Sequence, residues 1–528
     1  MKHHKVYEPK DSAGKLAKTF LRNPLTLVLG ISLLVLGYLS LEIMPREENP
    51  QMVVSGSTVI VALPGATAKE VEKIIVKPLE RKMKEVKGVE HIYGTAMDNV
   101  GIVNAAFFIG QDKETSNLKV YDKIMQNSDM FPKGAQNPLI KPLDIDIDIP
   151  ILSIAFYSNG KLNQTQLYDK VREIQYKING LPNVAVTALK GGHKHQFNIE
   201  VDLNKLSGYN LSMGQIMKSV QSIAYNVPSV KNRTKDNKIV IMGVQNAIES
   251  VKDVGNIIVA QYMGSPIYLK QVAKVENSYD IQNFKSALIA VREGKDKFSP
   301  FEKQITLTVS KLQGTNAVTI AEEVKKSLEK YQDVLKKNGI SYVITRNDGE
   351  RADDAVNELV MHLILSIVII AVLLIFVLGW RESLIVTFTV PAILAITLFV
   401  AYLSGQTINR ITLFAFLLAL GLLVDAAIIV IENIHRHYHS VDSAHLTDDE
   451  LMVKATDEIG APTNIATLAI IMTMVPMAFV GGMMGQFMKP IPENVPVALI
   501  ASLFVAYIFT PYLAVRMLKR PDLSKGEH

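Results

Sequence analysis

Residues 418–433 read LALGLLVDAAIIVIEN. The run is apolar and helix-length, with one carboxylate, Asp425, near its middle. A charged Asp at the centre of a bilayer costs about 2.5–3.5 kcal/mol on insertion scales, and ionisable groups kept at that depth are functional by default. Gly421 lies one turn before Asp425 and Glu432 two turns after, so the spacing puts all three on one helix face. With no side chain at Gly421, a neighbouring helix can approach the acid closely. A buried carboxylate disfavours its charge and a nearby cation restores it, so a group between those influences can load and release a proton. Asp425 is therefore the candidate proton carrier, with Gly421, Glu432 and Asn433 as its supporting face. The competing reading is an Asp satisfied by a neighbouring Ser or Thr.

Outward from this stretch, long charge-poor runs cluster near the N-terminus and in the last third of the 528 residues. Hydrophobic residues make up 48% and charged residues 20%, so it is the distribution that points to a membrane protein with a large soluble insert. A net charge of +5 over this length does not point to nucleic acid. There is no cysteine, which excludes disulfides, thiol catalysis and zinc–thiolate sites.

Residues 1–24 carry Lys2, Lys5, Lys10, Lys15, Lys18 and Arg22. The stretch 25–44 is apolar and long enough to span. LEIMPREENP offers no small-residue cleavage site, so it reads as an uncleaved anchor with its basic flank inside. Residues 45–350 are soluble in character. VVSGSTVIVAL, VEHIYGTAM and VGIVNAAFFI alternate as strands, with helices expected over 68–86 and 117–130, a β-α-β-β-α-β ferredoxin-like order. The order recurs in ILSIAFYS, a helix over 163–178, VAVTAL, SALIAVRE, QITLTVSK, a helix over 318–337 and ISYVITR. An insert at 191–283 interrupts the second unit.

Five further spans are expected at 357–379, 383–404, 411–433, 461–481 and 495–517, within 351–520, leaving a tail at 521–528. Inner segments then hold the six N-terminal basic residues, Arg381, Arg436, Lys454, Arg516, Lys519, Arg520 and Lys525, and outer short loops only Arg410 and Lys489, which places both termini inside. No Lys or Arg falls inside a span. Ser366, Thr412, Thr463, Asn464, Thr467, Ser502 and Thr510 are candidate polar neighbours of Asp425.

Other groups have plainer readings. His435 and His439 in HRHYH are one turn apart and have metal-ligand spacing, but a polar belt at the interface accounts for them. Asp144, Asp146 and Asp148 alternate, as on one face of an extended segment. GGMMG reads as a loop. Met472, Met474, Met477, Met483, Met484 and Met488 suit either soft metals or membrane filler. No P-loop, nucleophile or cofactor motif is present, so neither enzyme chemistry nor a cofactor is expected.

GLLVDAAIIVIEN, the anchor before an exported domain, VALPGATAKEVEK, VPMAFVGG and FTPYLAVRML together resemble the resistance-nodulation-division (RND) efflux permeases, in order along nearly the whole chain. The resemblance implies a membrane α-helical bundle of six transmembrane helices plus an α+β periplasmic porter domain with a docking insert at 191–283. It implies a trimeric, proton-driven inner-membrane antiporter working with a periplasmic adaptor and an outer-membrane channel, and Asp425 as the first acid of the proton relay. Two departures from the family pattern stand out. Asp425 is followed by Ala426 rather than a second acid. The chain has six spans where members have twelve, and the family's relay lysine lies in the second half. The expectation is a second-half polypeptide, or a chain that is part of a longer one. Export of small amphipathic compounds is the leading function. Efflux of heavy-metal cations and a non-transporting half-permease scaffold are the alternatives.

Overall fold

The computed structural model describes residues 7–520 apart from 159, 161, 224–229, 234–238, 243–247, 263, 280–284, 293, 295–296, 441–442 and 444–445. The expected tail at 521–528, with Lys525, and Lys2 and Lys5 at the other end lie outside them.

The first soluble unit is an αβ sandwich. Strands β1 (Gly56–Ala62), β2 (Val89–Met97), β3 (Val100–Phe107) and β4 (Leu139–Leu143) form one antiparallel sheet in the order β2-β3-β1-β4. Val59 pairs Val103 on one side and Ile140 on the other. A helical stretch over 68–84 and helix Lys113–Gln126 cover one face. The alternation in β1 aims Val59 and Val61 at Ile75, Leu79 and Val120, all fully buried. The acid triplet near its end departs from expectation. Ile145–Asp148 is one turn of helix, and Asp148 Oδ2 accepts from Asp144 N at 2.9 Å. The Asp148 carboxylate thus closes a local turn, while that of Asp144 pairs with Lys113 at 3.1 Å, and neither lines a strand.

The second unit repeats the layout. β5 (Leu152–Ser158), β6 (Val184–Lys190), β7 (Glu302–Lys311) and β8 (Ile340–Asn347) lie in the order β6-β7-β5-β8. Ile154 pairs Leu307 and Ile344, and Thr308 pairs Ala188. Helices Gln164–Asn179 and Ala317–Lys330 pack Leu167, Val171 and Val324 onto Phe156 and Leu307. The chain between β6 and β7 builds a small body of its own. There His195–Val201 pairs with Ala273–Tyr279 over Leu206, Ile216, Leu269 and Val272.

Among the described residues, six helices are long and apolar enough to cross a membrane. They are α2 (Leu25–Ile43), α3 (Asp348–Val377), α4 (Trp380–Leu403), α5 (Arg410–Tyr438), α6 (Asp448–Ala478) and α7 (Pro490–Met517), the last preceded by a short helix at Gly482–Met488 where a loop was expected. A shorter amphipathic helix, α1 (Ser12–Phe20), comes before them. Helices α3 and α6 begin well before the expected spans. Asn347 caps α3, and Thr447 with Glu450 forms a capping box on α6, so polar sequence continues each helix beyond the apolar run. The most apolar window of α3 is only 11% buried, and Phe376 is 86% exposed. Water does not tolerate apolar faces of that size, so they need lipid or protein cover.

Sequence reading left residues 7–22 as a basic tail, whereas they are docked. Asp457 on α6 accepts from Tyr7 Oη at 2.7 Å, Asp11 N at 2.8 Å and Lys10 N at 3.0 Å. Burial and the Asp457 carboxylate push the Tyr7 hydroxyl up to about 12, so it remains a donor at any physiological pH. Arg516 donates to Leu21 O at 3.1 Å, satisfying the far end of α1. Bonds to a charged acceptor contribute about 1.5–3 kcal/mol each. Asp457→Ala should therefore raise amide exchange over residues 7–22 by about 10- to 100-fold, read by hydrogen–deuterium exchange, while α7 stays protected.

Candidate functional site

Helix α5 starts at Asn409, whose side-chain oxygen accepts from Ile411 N and Thr412 N, both at 3.0 Å. This is an N-cap that the sequence signal allows. One face of α5 is sealed: Leu413, Phe416, Leu420, Leu423, Ala427 and Ile434 are buried, largely against α7 and α4. The other face is bare. Phe414, Leu418, Gly421, Asp425 and Glu432 are all exposed. Their spacing alternates between three or four residues and a full heptad, which keeps one line along the helix.

Asp425 is thus not buried within its own chain, as the sequence suggested. It stands on the uncovered face at the middle of the most apolar part of α5. The periodicity located a helix face but could not show which neighbour faces it. No hydrogen bond or ion pair reaches the Asp425 carboxylate from the described residues. Nothing lies within 4 Å of where a Cβ on Gly421 would sit, so this chain places no helix there.

The proposed supporting face divides. Gly421 and Glu432 lie within about 40° of Asp425 around the axis, and Asn433 lies about 80° away, at 100° per residue. Accordingly Asn433 is buried, and its Nδ2 donates to Ala455 O at 2.7 Å and Glu458 Oε2 at 3.5 Å. It ties α5 to α6 and does not face the acid.

Asp425 borders a cavity of about 280 Å³ between α5, α6 and α7. Thr463, Thr467 and Ser502 are in its wall, as are Pro462 and Ala466. Pro462 supplies no backbone N–H to α6, so the i→i−4 ladder is interrupted there. Of the polar neighbours expected from sequence, Ser366, Thr412, Asn464 and Thr510 are elsewhere. Asn464 accepts from Tyr507 Oη at 3.0 Å, and Thr412 donates to Thr407 O at 3.1 Å. The histidines have local partners too. His435 is 3.2 Å from Glu382, and His437 is 2.7 Å from Glu458 and 2.9 Å from Ser443. His439 Nδ1 lies 2.9 Å from His435 O. These tether the start of α4 and the first turns of α6 to the end of α5. Among the described residues no three His, Asp or Glu side chains are grouped to hold a metal ion.

What this chain can do at Asp425 is bounded by that inventory. A carboxylate and three hydroxyl-bearing side chains line a small, mostly apolar space. Such a set can hold or release a proton. It has no nucleophile–base pair and no cation to hold the acid ionised.

A bundle of apolar helices under two αβ units and an insert defines a multi-pass membrane protein. A family model described as the AcrB/AcrD/AcrF family matches residues 16–527, and the chain belongs to this family of RND efflux permeases. It is accordingly an efflux transporter that works with other proteins in an assembly.

The bare line on α5 has a measurable consequence. Gly421→Leu places its Cβ where no atom of the described residues lies within 4 Å, and it removes a helix-interior glycine that costs about 0.5–1 kcal/mol relative to Ala. The purified chain should keep or slightly raise its melting temperature, while efflux by the complete assembly is lost. The pair of measurements is thermal unfolding of the chain alone and drug accumulation in cells.

Proposed function

We propose that this chain is half of a proton-driven RND permease that exports small amphipathic compounds. The observation that supports this reading is the lone Asp425 on an uncovered helix face, in a chain with no Lys or Arg at that depth. An isolated carboxylate in lipid is driven to its neutral form, and it becomes a switch only when a cation approaches and retreats. A second polypeptide, or a further segment of the same one, covers the α5 line and brings that cation. Protonation from the outer side would release the pairing, and deprotonation to the inner side would restore it. The two packings would differ at α5, and the soluble units above would follow.

In this reading α2 to α7 cross the inner membrane and both termini are cytoplasmic. The two αβ units form the first half of a periplasmic porter domain, and the small body between β6 and β7 is its docking part. A periplasmic adaptor and an outer-membrane channel complete the path, and three copies assemble. The basic residues of the inner segments support that orientation.

Asp425→Asn keeps the side-chain shape and removes the titration. Efflux should fall to background while the variant inserts and assembles as the parent does. Wild-type efflux from correctly inserted Asp425→Asn protein, measured by drug accumulation in intact cells, would sink the proposal.

A further inference from the structure

A second cluster of charge lies at the outer ends of the apolar helices, under the second αβ unit. The chain leaves α2 through Pro45, Arg46, Glu47 and Glu48. Lys311 Nζ donates to Glu47 Oε1 at 2.7 Å, and the two side chains are only 7% and 6% exposed. Lys311 is the last residue of β7, the strand paired on both sides in its sheet. The other carboxylate oxygen of Glu47 accepts from Thr407 Oγ1 at 3.4 Å. Thr407 belongs to the loop that starts α5. Its carbonyl accepts from Asn409 Nδ2 and Thr412 Oγ1, both at 3.1 Å. An unbroken polar chain therefore runs from the first turn of α5 through Thr407 and Glu47 to the end of β7.

Its surroundings are rigid. Glu47 N donates to Ile408 O at 3.0 Å, and Ile408 N to Pro45 O at 2.9 Å. Ala317 N, at the start of helix Ala317–Lys330, donates to Arg46 O at 3.2 Å. Arg46 pairs with Asp353 of α3 at 2.8 Å, and Glu48 with Arg351 at 3.1 Å and with Arg410. A Cβ on Gly349 would come within 2.6 Å of Ala317 O, so α3 presses directly on the second unit. All these groups come from residues 45–48, the second unit, the α4–α5 loop and the outer ends of α3 and α5.

Packing does not require a buried ion pair here. Two well-packed apolar side chains in its place are often neutral or stabilising, whereas the pair fixes one geometry and couples its two sides. We infer that Glu47 and Lys311 are positioning residues for transport, the joint through which a shift of α5 displaces β7 and the second αβ unit. This rests on the reading of Asp425 as the proton carrier on α5. They touch neither proton nor cargo in this role. They act through Thr407 and Asn409 on one side and the sheet on the other.

The chain is cysteine-free, so two introduced thiols can be cross-linked without background from this chain. The complete assembly is reconstituted in proteoliposomes with a pH gradient, and proton entry and substrate export are measured separately. E47M/K311M should assemble, and export should fall at least tenfold while proton entry that is lost in Asp425→Asn persists. A purely structural role would lower both together or reduce assembled protein. E47C/K311C should be inactive in export when reduced and regain it when a bis-methanethiosulfonate of matching span joins the thiols. Export at the wild-type proton ratio in E47M/K311M overturns the proposal. So does an assembled, cross-linked E47C/K311C that stays inactive. Hydrogen–deuterium exchange of residues 404–410 in Glu47→Gln supplies a readout independent of transport. Lost protection there supports the joint even if Asp425→Asn proves silent and the proton reading fails. Unchanged protection removes the joint whatever the transport result.

Discussion

A carboxylate at lipid depth with no cation in reach is the constraint on which the rest of this structure depends. Asp425 lies midway along α5, among residues that otherwise bury against α4 and α7. The helix spends one face on that packing and leaves the other, with Gly421, Asp425 and Glu432, uncovered. An ionised group there costs about 2.5–3.5 kcal/mol, which a neutral acid or an approaching counter-charge relieves. The small hydroxyl-bearing side chains of Thr463, Thr467 and Ser502 line the cavity that Asp425 borders. The remaining helices hold α5 in register without enclosing the acid.

The architecture around this helix separates into stiff and bare parts. α7 is the best-buried of the apolar helices, with 72% of its window covered, so the bundle is built about α5 and α7. One set of helix ends is tied by Asp457 to the N-terminal segment and by His435 and His437 to Glu382 and Glu458. The opposite ends are tied by Glu47 to Lys311 of the second αβ unit, and by Arg46 and Glu48 to Asp353 and Arg351 of α3. Between these two polar girdles lies an apolar stretch whose one ion-pair contact among the described residues is the exposed Glu358–His362 turn of α3, 3.6 Å apart. Motion along α5 would thus be held at both ends by hydrogen bonds and eased in the middle by methyl contacts.

Strand alternation was legible because antiparallel sheets with one buried face write period two into the chain. Ser57, Val59 and Val61 inward, with half-buried Thr58 and Ile60 alternating between them, is an example. The helix over 411–433 was legible for the same kind of reason, and so was the shared face of Gly421, Asp425 and Glu432. Asn433 was misplaced because a one-residue step turns a helix by about 100°. Burial of Asp425 was misjudged because periodicity says which residues share a face and nothing about what meets it. The Asp144 turn, closed by the Asp148 carboxylate, and the uncapped Gly482–Met488 helix escaped notice because local geometry overrides composition over four to seven residues. The Asp457 latch and the Glu47–Lys311 pair join residues hundreds of positions apart, and no local pattern announces such a contact.

Infrared difference spectroscopy on the complete assembly addresses the central claim most directly. A protonated carboxyl in an apolar setting has a C=O stretch well separated from carboxylate bands. Cycling the sample between inward and outward pH conditions with substrate should show one such band appear and vanish, and Asp425→Asn should erase it. A spectrum with no substrate-dependent carboxyl band, or one that survives unchanged in Asp425→Asn, would contradict the account.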